Sequence, residues 1–246
     1  MSSNLEKETN NLNVINEYKN LSSCEINEIV KNDRNRDLNY AICALNVQGN
    51  LNIGNMIRTS HICGASKFII FGRRKYNKSS AVGTFHYMDI DKVDGLKKEL
   101  KYFDFSKEMS SEEYKSTLWN GFDEVAFIKY MKDNNFIPIF IEQNNDSVKL
   151  NNNVIKSIFQ NINKINIHKC FDCNKRQKLD KYKPCFVFGN ESFGIPENIL
   201  NTRFEFPNSI VIEIPQVGII KSHNVGISCG IVSYKIMEAL METLIK

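Results

Sequence analysis

Val211-Ile212-Glu213-Ile214-Pro215-Gln216, answered a few residues later by Ser222-His223-Asn224-Val225, joins a strand, an enforced stop and a helix start in one short run. Its first part reads as an apolar strand over Ile210–Ile214 that cannot run on, because Pro215 has no amide to give a neighbouring strand. Gly218 bends the loop that follows. Ser222 and Asn224 are residue types that cap helix N-termini, and Val225–Ile245 has the texture of a closing helix. Gly226, Ser228, Cys229, Gly230 and Ser233 are small, so this helix can approach other backbone closely.

The strand, turn and helix pattern recurs upstream. Cys185–Phe188 reads as a strand that opens directly into Gly189-Asn190-Glu191-Ser192-Phe193-Gly194. Glycines at both ends of that turn let backbone come close to a ligand and take up positive φ. Ala41–Val47 reads as a buried strand, and the spacing predicts a helix over Ile53–Cys63 with Asn52 as its N-cap and Gly64 at its C-terminus. Arg58 then falls on the second turn of that helix. A helix N-terminus and a guanidinium together suit a phosphate or a developing oxyanion. Taken singly, each segment also reads more plainly: a capped helix with a surface Arg, a turn with a solvated Glu, and an ordinary N-cap.

The rest of the chain alternates in the same way. Strands are expected at Phe68–Phe71 and Ile137–Ile141, and helices around Gly95–Tyr102, over Phe122–Asn134 and, in short form, near Val154–Phe159. Asp123 and Glu124 fall in the first turn of their helix, where a negative charge suits the helix dipole. Such alternation implies an α/β fold, a mostly parallel sheet with helices on both faces. Residues 1–36 are low in complexity and are expected to be a disordered lead with one helix near Ser22–Lys31, followed by a single domain over 37–246. Two polar, Lys-rich stretches, 103–120 and 161–183, read as surface insertions.

Length and composition bound what remains. The chain has 246 residues, 42% of them hydrophobic, and no run approaching the ~20 apolar residues of a membrane span. Met1–Lys19 is neither a signal nor a transit peptide in pattern. Seven cysteines without regular spacing argue for a reducing compartment, hence an intracellular and first of all cytoplasmic location, with nucleus or organelle left open. The net charge is +4, yet the segment Lys164–Lys183 alone carries +5. A second basic cluster, Arg73-Arg74-Lys75 beside Tyr76, joins cations to a ring that can stack on a base. A solvated face is the plainer account of either cluster, so they argue for RNA only together with the motifs.

Several chemistries fall away. Ile195-Pro196 stands where a P-loop needs Lys and Ser or Thr, and no Gly-x-Gly-x-x-Gly occurs in the chain. His168, Cys170 and Cys173 have the spacing of half a zinc site without a second pair nearby, so no metal is expected. His61 and His86 have no carboxylate or nucleophile at a suggestive spacing, and Trp119 reads as a packing anchor.

Together and in order, Asn52–Arg58, Phe188–Gly194 and Ile214–Val225 resemble the three signature motifs of the SpoU (TrmH-like) family of RNA ribose 2′-O-methyltransferases, of the SPOUT class. The resemblance spans about Ala41 to Met237. It implies a C-terminal deep trefoil knot from about Lys183 onward, a homodimer, and S-adenosyl-L-methionine as cofactor. Its implied activity is methylation of a ribose 2′-hydroxyl in tRNA or rRNA. By the same resemblance Arg58, Asn52, Ser222 and Asn224 are catalytic, while Gly189, Glu191, Ile214, Gln216 and His223 bind the cofactor. RNA is expected to meet Arg73, Arg74 and Lys75, with the lead, the two insertions or the dimer surface as further contacts. The sequence departs from the family at His223, where Leu is usual. Two other readings stay open: a knotted RNA-binding protein without catalysis, and a SPOUT enzyme that methylates a base nitrogen.

Overall fold

The computed structural model describes residues 14–22, 24–26, 28–29, 38–45, 47, 49–72, 78–100, 110–114, 117, 121–172 and 181–244. Their elements, in chain order, are β1 (Ala41–Leu45), α1 (Asn50–Ile62), β2 (Lys67–Phe71), β3 (Asp89–Val93), α2 (Ser111–Tyr114), α3 (Glu124–Asp133) and β4 (Phe136–Ile141). There follow β5 (Val148–Lys149), α4 (Asn152–Asp172), β6 (Lys183–Phe188), α5 (Glu197–Asn201), β7 (Val211–Glu213) and α6 (Val225–Leu244). The seven strands form one sheet in the order β3-β2-β1-β6-β4-β7-β5, and every pair in it is parallel.

The register explains the apolar runs. Ala41 pairs with Lys67 on one side and Cys185 on the other, so β1 is internal and all five of its residues are buried. A strand covered on both faces has no reason to alternate in polarity. Phe186 pairs with Ile139, so Phe140, one residue on, projects from the opposite face. There it meets Phe127 of α3 at 6.2 Å, and Phe127 meets Phe71 edge-on at 5.3 Å. On the other face Tyr40 lies edge-on to Phe186 and donates its hydroxyl to the Cys63 carbonyl at the end of α1. α6 packs on α1 and on α4 over that face. Cys229 of α6 sits 3.5 Å from Ser60 Oγ, and Gly230 lies against Thr59, so the small residues of the last helix do allow close approach.

Several expectations need correcting. The first helix begins at Asn50 with Gly49 as its N-cap, so Asn52 lies within the first turn and caps nothing. Its amide is instead spent on partners from distant loops. Gly64 does end that helix, at φ +83°. α3 starts one residue after Asp123, whose carboxylate accepts from Ala126 N at 3.0 Å as a true cap. The short helix near Val154–Phe159 is in fact α4, 21 residues long, and it takes up 161–172 of the second presumed insertion. Ile155, Ile158 and Ile162 bury one face of it, and one turn later Asn166 accepts from Tyr182 N at 2.7 Å and donates to Tyr182 O at 3.1 Å. Around Gly95–Tyr102 the described helical residues form only a 3-10 turn, Lys98–Leu100. In the lead, residues 24–26 and 28–29 are helical, Ser22 and Glu25 bond each other reciprocally, and Ile26 is buried.

Candidate functional site

In parallel sheets ligands collect beyond the carboxyl ends of the strands. β4, β6 and β7 end side by side here, and a cavity of about 300 Å³ opens where their following loops meet. The loop after β6 is held closed on itself. Asn190 N donates to Gly194 O at 2.8 Å, Gly194 N to Asn190 O at 3.0 Å, and the Asn190 side chain accepts from Ser192 N at 2.9 Å. Gly194 adopts φ +69°, and a Cβ on Gly189 would stand 2.1 Å from the Gly194 carbonyl. Both glycines are therefore required by the turn itself. Glu142, just past β4, accepts from Ile195 N at 2.7 Å and Gln143 N at 3.0 Å, which docks this loop onto its neighbour.

The loop after β7 supplies the opposite wall. With its amide turned to satisfy its surroundings, Gln216 donates to the carbonyls of Ile220 and Lys221 and accepts from Gln143 Nε2 at 3.0 Å. Glu213 accepts from Ser147 Oγ at 2.7 Å. Asn224 Oδ1 caps α6, taking Gly226 N at 2.8 Å and Ile227 N at 3.3 Å, so the capping role falls to Asn224.

A chain of side-chain bonds ties the first helix to both loops. Glu191 Oε1 accepts from Gly49 N and from Asn52 Nδ2, each at 2.8 Å. Asn52 Oδ1 in turn accepts from Asn224 Nδ2 at 3.2 Å. The carboxylate also stands at the positive end of α1, where a negative charge is favoured.

Of the residues singled out from the sequence, Gly189, Glu191, Ile214, Gln216, Ser222 and His223 line the cavity. Asn52 and Asn224 do not line it, but brace its walls through the bonds just described. Arg58 lies on an exposed part of α1 outside the lining and makes no hydrogen bond or ion pair with the described residues. It sits one turn beyond Gly54, which packs so tightly on Ser80 that a Cβ would fall 1.7 Å from its hydroxyl oxygen. Arg73, Arg74 and Lys75 lie outside the described residues, as do Cys173, Trp119 and the side chains of His168 and Cys170. Among the described residues no His, Cys, Asp and Glu group could hold a metal ion, and no helix is long and apolar enough to cross a membrane.

Glu142, Gln143, Glu213, Lys221 and Ser228 also line the cavity and were missed from the sequence. For Glu142 and Gln143 a signal was present: two polar residues directly after the apolar strand Ile137–Ile141. Outside the cavity, Lys67 pairs with Asp91 at 2.8 Å and Asp89 at 3.1 Å, and Tyr130 donates to Asp91 at 2.5 Å. Burial pushes the Asp91 carboxyl up, but the bonds from Lys67 and Tyr130 outweigh it and hold it below its ordinary value. Burial lowers Lys67, and the two carboxylates more than reverse this. Burial and then Asp91 push the Tyr130 hydroxyl far up. This cluster joins β2, β3 and α3 and lies away from the cavity-lining loops.

No protein-family model and no curated protein matches the chain. Solved structures do. The A. aeolicus TrmH/SpoU tRNA modifying enzyme superposes with a TM-score of 0.52 at 18% identity, over 89% of this chain and 86% of that one. A probable methylase family protein from Haemophilus influenzae Rd KW20 gives 0.51 at 16% identity, over 84% and 68%. The SpoU methyltransferase AviRb from Streptomyces viridochromogenes gives 0.50 at 14% identity, over 85% of this chain and only 62% of its own. The chain thus has the α/β fold of the SpoU and TrmH structures, with all seven described strands parallel.

Proposed function

We propose that this chain is an S-adenosyl-L-methionine-dependent RNA methyltransferase that modifies a ribose 2′-hydroxyl in tRNA or rRNA. The observation that carries the reading is the Glu191–Asn52–Asn224 chain of bonds, which joins all three motif segments around one cavity. Asn52 lies 139 and 172 positions from the Glu191 and Asn224 it bonds, and ordinary core packing gives no reason for such distant polar side chains to meet there. The fold of the SpoU and TrmH structures supports the same reading.

The cavity suits a cofactor of mixed polarity: it offers apolar Ile141, Phe188 and Ile214 beside carboxylates and loop backbone. Gly189, Glu191, Ile214, Gln216 and the backbone at His223 would hold it. When bound it supplies an electrophilic methyl group on a sulfonium. Arg58 would stabilise the forming alkoxide and a neighbouring phosphate, since a guanidinium is too weak an acid to lose its proton readily and so cannot easily serve as a base. Asn52, Ser222 and Asn224 would orient the ribose, and positioning of this kind supplies much of a rate enhancement. Arg73, Arg74 and Lys75 would meet the RNA backbone. The domain would run from residue 37 onward behind the lead.

The finer architecture belongs to the same proposal. β7 enters between β4 and β5 after β6 has entered between β1 and β4, an order that fits a trefoil knot in the C-terminal half. Leu51 and Ile62 of α1 and Ile227, Tyr234 and Met241 of α6 are exposed on two helices that pack together, which fits a homodimer face. Incubation of unmodified tRNA and rRNA with tritiated-methyl cofactor, followed by digestion to nucleosides, tests the activity. A 2′-O-methyl nucleoside is expected. A base-methylated nucleoside would replace this reading with a base N-methyltransferase, and no label in any RNA would leave an RNA-binding protein.

A further inference from the structure

We propose that a second cavity, beside the first, holds the α-amino acid end of the cofactor, with Lys149 on its carboxylate and Glu213 on its ammonium. The inference rests on the methyltransferase reading above and names a subsite that the motif residues leave unassigned.

A cavity of about 200 Å³ opens at the edge of the sheet where β5 meets β7, lined by Gln143, Lys149, Glu213, Ile214, Pro215 and Gln216. Four of these, Gln143, Glu213, Ile214 and Gln216, also line the larger cavity, so the two spaces adjoin along the end of β7. The 3.0 Å bond between the Gln143 and Gln216 side chains lies on their shared wall.

Lys149 and Glu213 stand directly opposite each other in the parallel ladder. Neighbouring strands lie about 4.8 Å apart, so an ammonium and a carboxylate are carried side by side into this space. Their backbones are fixed: Leu150 N donates to Glu213 O at 2.9 Å, and Asn151 Nδ2 donates to Lys149 O at 3.1 Å. The two side chains nonetheless stay apart. Lys149 makes no side-chain hydrogen bond or ion pair with the described residues. Glu213 holds only Ser147 Oγ, through one oxygen, at 2.7 Å, whereas Glu142 and Glu191 each hold two donors from the loops they brace. An exposed ion pair is worth little, so leaving this one unmade costs little and keeps both charges for a ligand.

An α-amino acid carries its ammonium and its carboxylate on one carbon, and so needs an anion and a cation side by side. The remainder of the cofactor asks for something else: a purine and its ribose suit Ile141, Phe188 and the loop backbone of the larger cavity. A phosphate of the RNA would gain from Lys149 but meet Glu213 as a like charge. The amides of Gln143 and Gln216 both donate and accept, and so serve either charge of the zwitterion.

The test is calorimetric binding to the full chain, without RNA and without turnover. S-adenosylhomocysteine carries the amino acid end, and 5′-methylthioadenosine is a thioether nucleoside that lacks it. The wild type should bind the first about tenfold more tightly than the second, or better. Lys149→Met and Glu213→Gln should each weaken S-adenosylhomocysteine by about 5–10-fold, since both contacts stay partly in water, and leave 5′-methylthioadenosine within about twofold. Lys149 is exposed and unpaired among the described residues, so Lys149→Met should unfold thermally as the wild type does. Equal affinity of the wild type for the two ligands overturns the proposal, and so do variants that lose both equally or neither. Weaker RNA binding by Lys149→Met with unchanged S-adenosylhomocysteine binding also overturns it, and gives the ammonium to the RNA backbone. A wild type that binds neither ligand refutes the methyltransferase reading itself, and the subsite falls with it.

Discussion

Asn224 Nδ2 donates to Asn52 Oδ1 at 3.2 Å, across 172 positions of sequence. Each asparagine does a second job with its other end: Asn52 gives its amide to Glu191, and Asn224 accepts the first amides of α6. The two motif segments are therefore not merely near each other but mutually oriented, and Glu191 sets the tautomer-like choice of which amide end faces which partner. A carboxylate can only accept, so Asn52 must present its nitrogen to Glu191 and its oxygen to Asn224.

Removing the acceptor at the end of that chain should be costly. Glu191→Ala leaves Gly49 N and the Asn52 amide without their partner and should lower stability by about 1.5–3 kcal/mol, the range for hydrogen bonds to charged groups. Glu191→Gln keeps one acceptor oxygen and should lose less. Urea unfolding measures the loss, and calorimetry with S-adenosylhomocysteine should show weaker binding in the same order.

The turn after β6 should not tolerate a methyl group. Gly194→Ala places Cβ 2.2 Å from Glu142 Oε2 at φ +69°, and Gly189→Ala places it against the Gly194 backbone. Each should cost more than about 2 kcal/mol, Gly194→Ala from the left-handed penalty plus the clash and Gly189→Ala from the backbone clash alone. Gly218→Ala meets nothing within 4 Å and should be nearly silent in thermal unfolding.

Arg58→Ala should separate activity from stability. The side chain is exposed and has no bonded partner among the described residues, so unfolding free energy should change by less than about 0.5 kcal/mol. Turnover should fall by about 10²–10³-fold or more, the usual loss for a charge-stabilising donor, with cofactor binding near normal. Retained turnover would take Arg58 out of the mechanism.

The Lys67–Asp91–Tyr130 cluster should stabilise the fold within a pH window. Asp91 is held below its ordinary 3.8, so its contribution is present above that pH and lost as pH falls through the folded-state value. Lys67 is raised above 10.5, so its part is present below that pH and lost as pH climbs through its own folded-state value. Asp91→Asn should therefore cost about 1–2 kcal/mol at neutral pH, allowing for partial solvent screening, and the gap should close in acid. Denaturant unfolding at a series of pH values would display it.

How much was legible in the sequence varies with burial. β1, β4 and β6 announce themselves because internal strands of a parallel sheet are apolar on both faces. β3, Asp-Ile-Asp-Lys-Val, did not, because an edge strand carries charge and its Asp91 is there to meet Lys67 and Tyr130. α4 runs further than its sequence suggests, because Asn161, Asn163 and Asn166 are poor helix formers. Tertiary contacts override that propensity: the isoleucines face the core, and Asn166 pins the backbone at Tyr182.

The alternation of elements and the three polar turns at strand ends can be read from neighbouring residues, since hydrophobic period and turn chemistry are local properties of the chain. Which turn residues share a cavity, and that Asn52 serves Glu191 rather than its own helix, depends on how the distant segments come together. A side-chain amide bonds whatever donor and acceptor the fold brings within about 3 Å. That partner here lies 139 positions away, and nothing in the local pattern can name it.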